Sequence, residues 1–144
     1  MILVDANVLL YAYHPRSHLH DVCRRWLEDA FSGPSPVHLA WITIFGFLRI
    51  STSARVFERP LSMPQAREVV AGWLAAPAVS ILEPGERYWE IFGDLLVRSQ
   101  VSGPLVTDGA LAALALEHGV TVCTTDRDFT RFPGLKLQNP AGGW

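Results

Sequence analysis

The chain has 144 residues, of which 49% are hydrophobic and 18% charged, with a formal net charge of −2. This is enough apolar material to bury a core without staples, and the composition argues against a disordered chain. The pI near 6.2 means that no global basic field advertises a nucleic-acid partner, although a bound cation would carry positive charge that a whole-chain count omits.

The chain opens on a short apolar strand, Ile2 to Val4, which Asp5-Ala6-Asn7 breaks before a buried helical turn at Val8–Ala12. An amphipathic helix is predicted from His18 to Phe31. Val22, Trp26, Leu27 and Ala30 form its apolar face, and Arg24, Arg25, Glu28 and Asp29 lie largely opposite. His14 and His18 are four residues apart, but Pro15 between them rules out one regular helix face, so they read as part of a solvated helix start with Ser17 or His18 near the cap. The cluster Gly33-Pro34-Ser35-Pro36 turns the chain into a second strand at Val37–Ala40, followed by a helix over Thr43–Thr52. Ser62 and Pro64 start another helix, with Pro64 at its first position, that runs to Ala76 and stops at Pro77.

A third strand is expected at Val79–Leu82 and a helix from Gly85 to Gln100, ended by Gly103-Pro104. Thr107-Asp108 reads as the cap of an alanine- and leucine-rich helix that Gly119 stops. Strands at Val120–Cys123 and Leu135–Leu137 complete the pattern. Strands alternating with helices specify an α/β fold with a central parallel sheet flanked by helices on both faces. No repeat or interior linker divides residues 1–144, so one domain is expected, with the tail Ala141-Gly142-Gly143-Trp144 fraying. Cys23 and Cys123 fit neither a disulfide nor a zinc spacing. The opening residues carry no basic segment or cleavage site, and no apolar run approaches the ~18–20 residues of a membrane span. A cytoplasmic protein without a membrane segment is therefore expected.

Three aspartates stand where such a sheet binds ligands, in the crevice beyond the carboxyl ends of its strands. Asp5 directly follows the first strand, Asp126 follows the Val120–Cys123 strand by three residues, and Asp108 lies at a predicted helix N-terminus. If the two strands are neighbours, all three acids meet on one rim. Clustered carboxylates repel unless a cation lies among them, and Mg²⁺ takes oxygen ligands, activates water and stabilises charge on a phosphate. Spacing alone leaves the bland reading open, because Asp is common at strand ends and helix caps.

Four segments resemble those of PIN domains, in family order. They are Val4-Asp5-Ala6-Asn7-Val8-Leu9-Leu10-Tyr11; Phe47-Leu48-Arg49-Ile50-Ser51-Thr52 with Val56-Phe57; Thr107-Asp108-Gly109-Ala110-Leu111 through Glu117-His118-Gly119; and Thr124-Thr125-Asp126-Arg127-Asp128-Phe129. The middle and later segments are similar to VapC-type toxins. The resemblance implies a PIN fold and a Mg²⁺- or Mn²⁺-dependent endoribonuclease that cleaves single-stranded RNA (tRNA, rRNA or mRNA), the toxin of a type II toxin–antitoxin pair. It also implies a homodimer and a small cognate antitoxin. By position, Asp5 and Asp108 would be the principal metal ligands and Asp126 would complete the cluster. Asn7 would orient Asp5 through a side-chain hydrogen bond. Asp128 either joins the acids or caps the short helix carrying Phe129.

The sequence departs from the family at one place. PIN domains usually carry a glutamate on the middle helix just before Phe47–Thr52, but this stretch reads Ile44-Phe45-Gly46, and no acid occurs between Trp41 and Val56. Gly46 stands roughly where the carboxylate belongs. An active enzyme with an altered metal site is the favoured reading; the alternative is a catalytically weakened PIN protein that works by binding RNA or a partner. A phosphatase of the Asp-x-Asp type is disfavoured because Asn7 replaces the second acid.

Among the remaining polar residues, Arg49 is a candidate for gripping RNA phosphate or pairing with an acid, and Arg127 a weaker RNA-contacting candidate. Thr124 and Thr125 are expected to hydrogen-bond the Asp126 loop and not to act as nucleophiles, as no histidine is placed to activate them. Trp26, Trp41, Trp73 and Trp89 are expected to pack in the core.

Overall fold

The computed structural model describes residues 1–144. Five short strands, β1 (Ile2–Val4), β2 (Val37–Leu39), β3 (Val79–Ile81), β4 (Thr121–Cys123) and β5 (Leu137–Gln138), form one sheet in the order β3-β2-β1-β4-β5. Every pairing is parallel. The helices are α1 (Ala6–Ala12), α2 (His20–Ser32), α3 (Trp41–Ser51), α4 (Met63–Ala75), α5 (Tyr88–Arg98) and α6 (Leu105–His118), with a 3₁₀ turn at Arg127–Arg131.

Strand alternation divides the core into two layers. Val4, Val37, Leu39 and Cys123 face one side and pack with Val8, Leu9, Leu27, Ile44, Phe47 and Trp73 from α1 to α4. Leu3 and Val122 face the other and pack with Leu95, the Leu111–Ala115 run of α6, Phe129 and Phe132. Trp73 anchors the first layer, its ring 4.6 Å from that of Phe47 and 5.8 Å from that of Tyr13. Removing a buried aromatic of this kind costs about 3–5 kcal/mol, so these rings hold α3 and α4 onto the sheet. In the second layer α5 and α6 approach closely at Gly109, where a Cβ would stand 3.0 Å from Leu96 Cδ2.

The chain places β2 and β3 on one side of β1 and then crosses back to place β4 on the other. Ile2 pairs with Thr121 and Val4 with Cys123, and the Asp5 N–H extends the ladder by donating to the Cys123 carbonyl at 2.9 Å. The β1–β4 boundary is the point where strand order reverses, and a crevice opens there beyond the carboxyl ends. This is the adjacency that brings Asp5 and Asp126 to the same rim.

Several expected details differ. Helix α6 begins at Leu105, before the Thr107-Asp108 pair expected to cap it, because Pro104 already has helical φ −59° and needs no N–H partner. Asp108 therefore lies inside the first turn. Pro64 takes the second position of α4; Met63 takes the first, and Ser62 and Gln65 close a reciprocal capping box. Helix α2 begins at His20, not His18, and α5 at Tyr88, not Gly85, where Gly85 and Arg87 instead donate their N–H groups to the Glu117 carboxylate at 2.7 and 3.0 Å. The last strand is Leu137–Gln138, beyond the expected Leu135–Leu137 start.

In the exposed tail Asn139 Nδ2 donates to the Gly143 carbonyl at 2.8 Å and Trp144 Nε1 to the Thr125 carbonyl at 3.2 Å. Trp73 is buried and Trp26 packs against the core, but Trp41 and Trp89 face solvent, Trp89 with 74% of its surface exposed. Helix α5 turns Tyr88, Ile91, Phe92 and Leu95 toward the second core layer, which leaves Trp89 and Val97 off that face. No helix is long and apolar enough to cross a membrane.

Candidate active site

Asp5 ends the first strand and caps α1. Its backbone is extended (φ −79°, ψ 153°), and its Oδ1 accepts the Ala6 N–H at 2.8 Å. The other carboxylate oxygen, Oδ2, accepts a hydrogen bond from the Thr124 hydroxyl at 2.8 Å. Thr124 follows β4 directly and is fully buried. Its oxygen also accepts the Asp126 N–H at 2.9 Å, so one hydroxyl links the two strand ends.

Asn7 does not bond to Asp5, as the resemblance implied. Its amide makes long contacts of 3.4 and 3.5 Å with Thr124 Oγ1 and of 3.5 Å with the Thr125 N–H. The residue that holds Asp5 is Thr124, because parallel pairing of β1 with β4 puts position 124 beside position 5. A threonine after a strand carries no distinguishing mark in the sequence, so this role was not separable from that of Thr125, whose own hydroxyl makes no bond here.

The cap of the 3₁₀ turn belongs to Asp126, whose Oδ1 accepts the Asp128 N–H at 2.8 Å. Asp128 thereby leaves its carboxylate free of the capping task and places it 3.4 Å from Arg131. Oxygens of Asp108, Asp126 and Asp128 all lie within 4.8 Å of one another. Asp5, Asp108 and Asp126 share a cleft of about 360 Å³ with Asn7, Gly46 and Arg49. Thr125 stands beside it, held through its N–H, while exposed Arg127 does not line it.

Charge accumulates in this cleft faster than local groups can offset it. Burial, with a smaller push from the Asp126 charge, raises the Asp5 carboxyl to about 6 against the Thr124 and Ala6 hydrogen bonds that favour its charged form. Burial likewise pushes Asp108 up to about 7, helped by the charges of Asp5, Asp126 and Asp128 and opposed by Arg131. Asp108, Asp126 and Asp128 form an oxygen cluster suited to a hard divalent cation, and Asp5, which lies outside that 4.8 Å cluster, shares the cleft with Asp108 and Asp126. Gly46 lines the same cleft, and a Cβ there would meet only Ala6 Cβ at 3.6 Å, an ordinary contact. The position expected to lack a carboxylate is thus on the cleft wall, where a Cβ is accommodated.

Comparison with known proteins identifies the family of the chain. A family profile described as the PIN domain matches residues 2–135. The chain is 41% identical over 140 residues to Ribonuclease VapC37 of Mycobacterium tuberculosis, covering 97% of each, and 38% identical to Ribonuclease VapC33 of the same organism, covering 97% of this chain and 98% of the relative. Among solved structures it is similar to a chain of VapBC2 from Rickettsia felis, bound to a DNA fragment from their promoter. The TM-score there is 0.71 at 19% identity over 96% of this chain and 98% of that one, a likeness of fold. Mycobacterium tuberculosis VapC20, described as a Sarcin-Ricin loop cleaving toxin, gives a TM-score of 0.69 at 16% identity, covering 94% and 99%. The chain belongs to the PIN-domain family, among the VapC-type ribonucleases.

Proposed function

We propose that this protein is a divalent-metal-dependent endoribonuclease, cytoplasmic, that cleaves single-stranded RNA and serves as the toxin of a toxin–antitoxin pair. The observation that carries the reading is the gathering of Asp5, Asp108 and Asp126 in one cleft beyond β1 and β4, with Asp128 beside the last two and with Asp5 and Asp108 resisting ionisation. Mg²⁺ or Mn²⁺ fits such oxygen donors; Asp5 and Asp108 would hold it, with Asp126 and Asp128 completing the group. A cation there would supply an acidified water and charge neutralisation for a phosphate.

The protein's own groups do the remaining work. Thr124 fixes the Asp5 carboxylate, and Arg49, which lines the same cleft, is a planar donor for a phosphate oxygen. No histidine lines the cleft to activate a side-chain nucleophile, which supports attack by water.

A VapC-type relative crystallised as part of VapBC supports a cognate antitoxin as the partner. A homodimer is supported by apolar side chains left in solvent on α3 and α5: Trp41, Phe45, Trp89 and Val97. Purified protein is expected to cleave single-stranded RNA in Mn²⁺ and to stop in EDTA or on Asp5→Asn. Cleavage surviving both changes, or none at any Mn²⁺ concentration, overturns the proposal.

A further inference from the structure

A second cavity, of about 180 Å³, opens beside the acidic cleft, and the two share a wall of Asn7, Leu10 and Ile50. Its far side is built by His14 from the loop after α1 and by Val56 and Phe57 from the segment between α3 and α4. The His14 and Phe57 rings lie with centroids 4.6 Å apart, inclined at 55°. Val56 keeps 57% of its surface in solvent at the rim.

We propose that this cavity receives one unpaired base of the RNA substrate, next to the scissile phosphate, and so sets the sequence preference of cleavage. The inference rests on the reading of the acidic cleft as an RNA-cleaving site. Single-stranded RNA presents splayed bases that stack on aromatic side chains, and a phosphate in the acidic cleft puts its neighbouring base within reach of a cavity across a shared wall. Asn7 stands on that wall with only long contacts of 3.4 to 3.5 Å, so its amide keeps a donor and an acceptor for a base edge or a 2′-hydroxyl. The groove continues outward past Phe57 to Arg59, which has no carboxylate partner, whereas neighbouring Arg16 is tied to Glu58 at 2.8 Å. An unpaired guanidinium beyond an aromatic slot suits the next phosphate along the strand.

The test is steady-state cleavage, in Mn²⁺, of a short single-stranded RNA whose cut site has been mapped. Wild type is compared with Phe57→Leu, which keeps apolar bulk and removes the ring, and intact RNA with RNAs carrying one abasic nucleotide at successive positions around the cut. Phe57→Leu is expected to raise KM about tenfold and to move kcat far less. One abasic position flanking the cut raises the wild-type KM by a similar factor, and variant and abasic RNA together give no further rise. Effects that multiply at every position, or a Phe57→Leu protein with unchanged KM and cut sites, overturn the proposal and leave the cavity to a protein side chain. The abasic series on wild type stands even if Phe57→Leu folds poorly: a KM indifferent to every abasic position is equally contrary. A wild-type protein for which no cut site can be mapped on any single-stranded RNA contradicts the ribonuclease reading itself, and the base site falls with it.

Discussion

Thr124 donates its hydroxyl to Asp5 Oδ2 at 2.8 Å while the same oxygen accepts the Asp126 N–H at 2.9 Å. A buried threonine thus orients one acid and fixes the loop that carries another. Thr124→Val keeps the shape and removes both bonds. It is expected to lower metal affinity and cleavage about 10- to 100-fold, as removal of groups that orient metal ligands commonly does. Leaving the Asp126 N–H unpaired costs about 1–3 kcal/mol of stability. Thr124→Ser restores both. Mn²⁺ titration and thermal melting of the two variants check this.

The raised carboxyls of Asp5 and Asp108 make stability depend on pH in a defined direction. Each binds a proton more tightly in the fold, at about 6 and about 7, than at the ordinary value of 3.8, so protonation favours the folded state. In EDTA that contribution is complete below about pH 4 and is lost as pH rises through 6 and 7. The melting temperature in EDTA is expected to fall between pH 5 and pH 7.5 by more in wild type than in Asp5→Asn or Asp108→Asn. A divalent cation displaces the same protons, so its affinity is expected to rise over this interval.

Asp108→Asn separates stability from activity. It removes a carboxylate that Asp5, Asp126 and Asp128 all repel, so the variant is expected to melt above wild type at pH 7.5 in EDTA while losing cleavage. Melting curves beside an RNA cleavage assay read both effects.

Gly46→Glu is expected to fold, since the first atom added at that position meets nothing closer than 3.6 Å. A further carboxylate on the wall of the cleft should tighten Mn²⁺ binding about tenfold. Calorimetric titration checks it, and unchanged affinity and cleavage would show that the glycine is no functional vacancy.

Trp89 and Phe45 are exposed on α5 and α3, and their replacement by Ser is expected to cost little fold stability but to shift the proposed homodimer toward monomer. Sedimentation at micromolar concentration distinguishes the two states.

The strand–helix alternation and the positions of the acids were legible because both are local patterns: short apolar runs between turn residues against 3.6-period stripes, with Asp5 and Asp126 just after such runs and Asp108 at a helix start. Gly119 is a comparable case, a glycine at φ +67° that ends α6 where a left-handed residue was expected. What was not legible depends on which side chains meet. The role of Thr124 follows from β1–β4 register, and the exchange of tasks between Asp126 and Asp128 from the turn geometry of a single 3₁₀ turn. Trp41 and Trp89 looked like core residues because hydrophobicity alone does not say which helix face meets the sheet. Helix α6 began early because Pro104 supplies a preset φ, a backbone effect that outweighed the side-chain cap suggested by Thr107-Asp108.

The central claim, that the acids at the β1–β4 boundary hold a divalent cation, is tested most directly by titrating Mn²⁺ into wild type, Asp5→Asn and Asp108→Asn at pH 7.5 and following free Mn²⁺ by electron paramagnetic resonance. The expected result is saturable binding in wild type that weakens at least tenfold in each variant. Binding of equal strength in all three, or no binding to wild type at millimolar Mn²⁺, would contradict it.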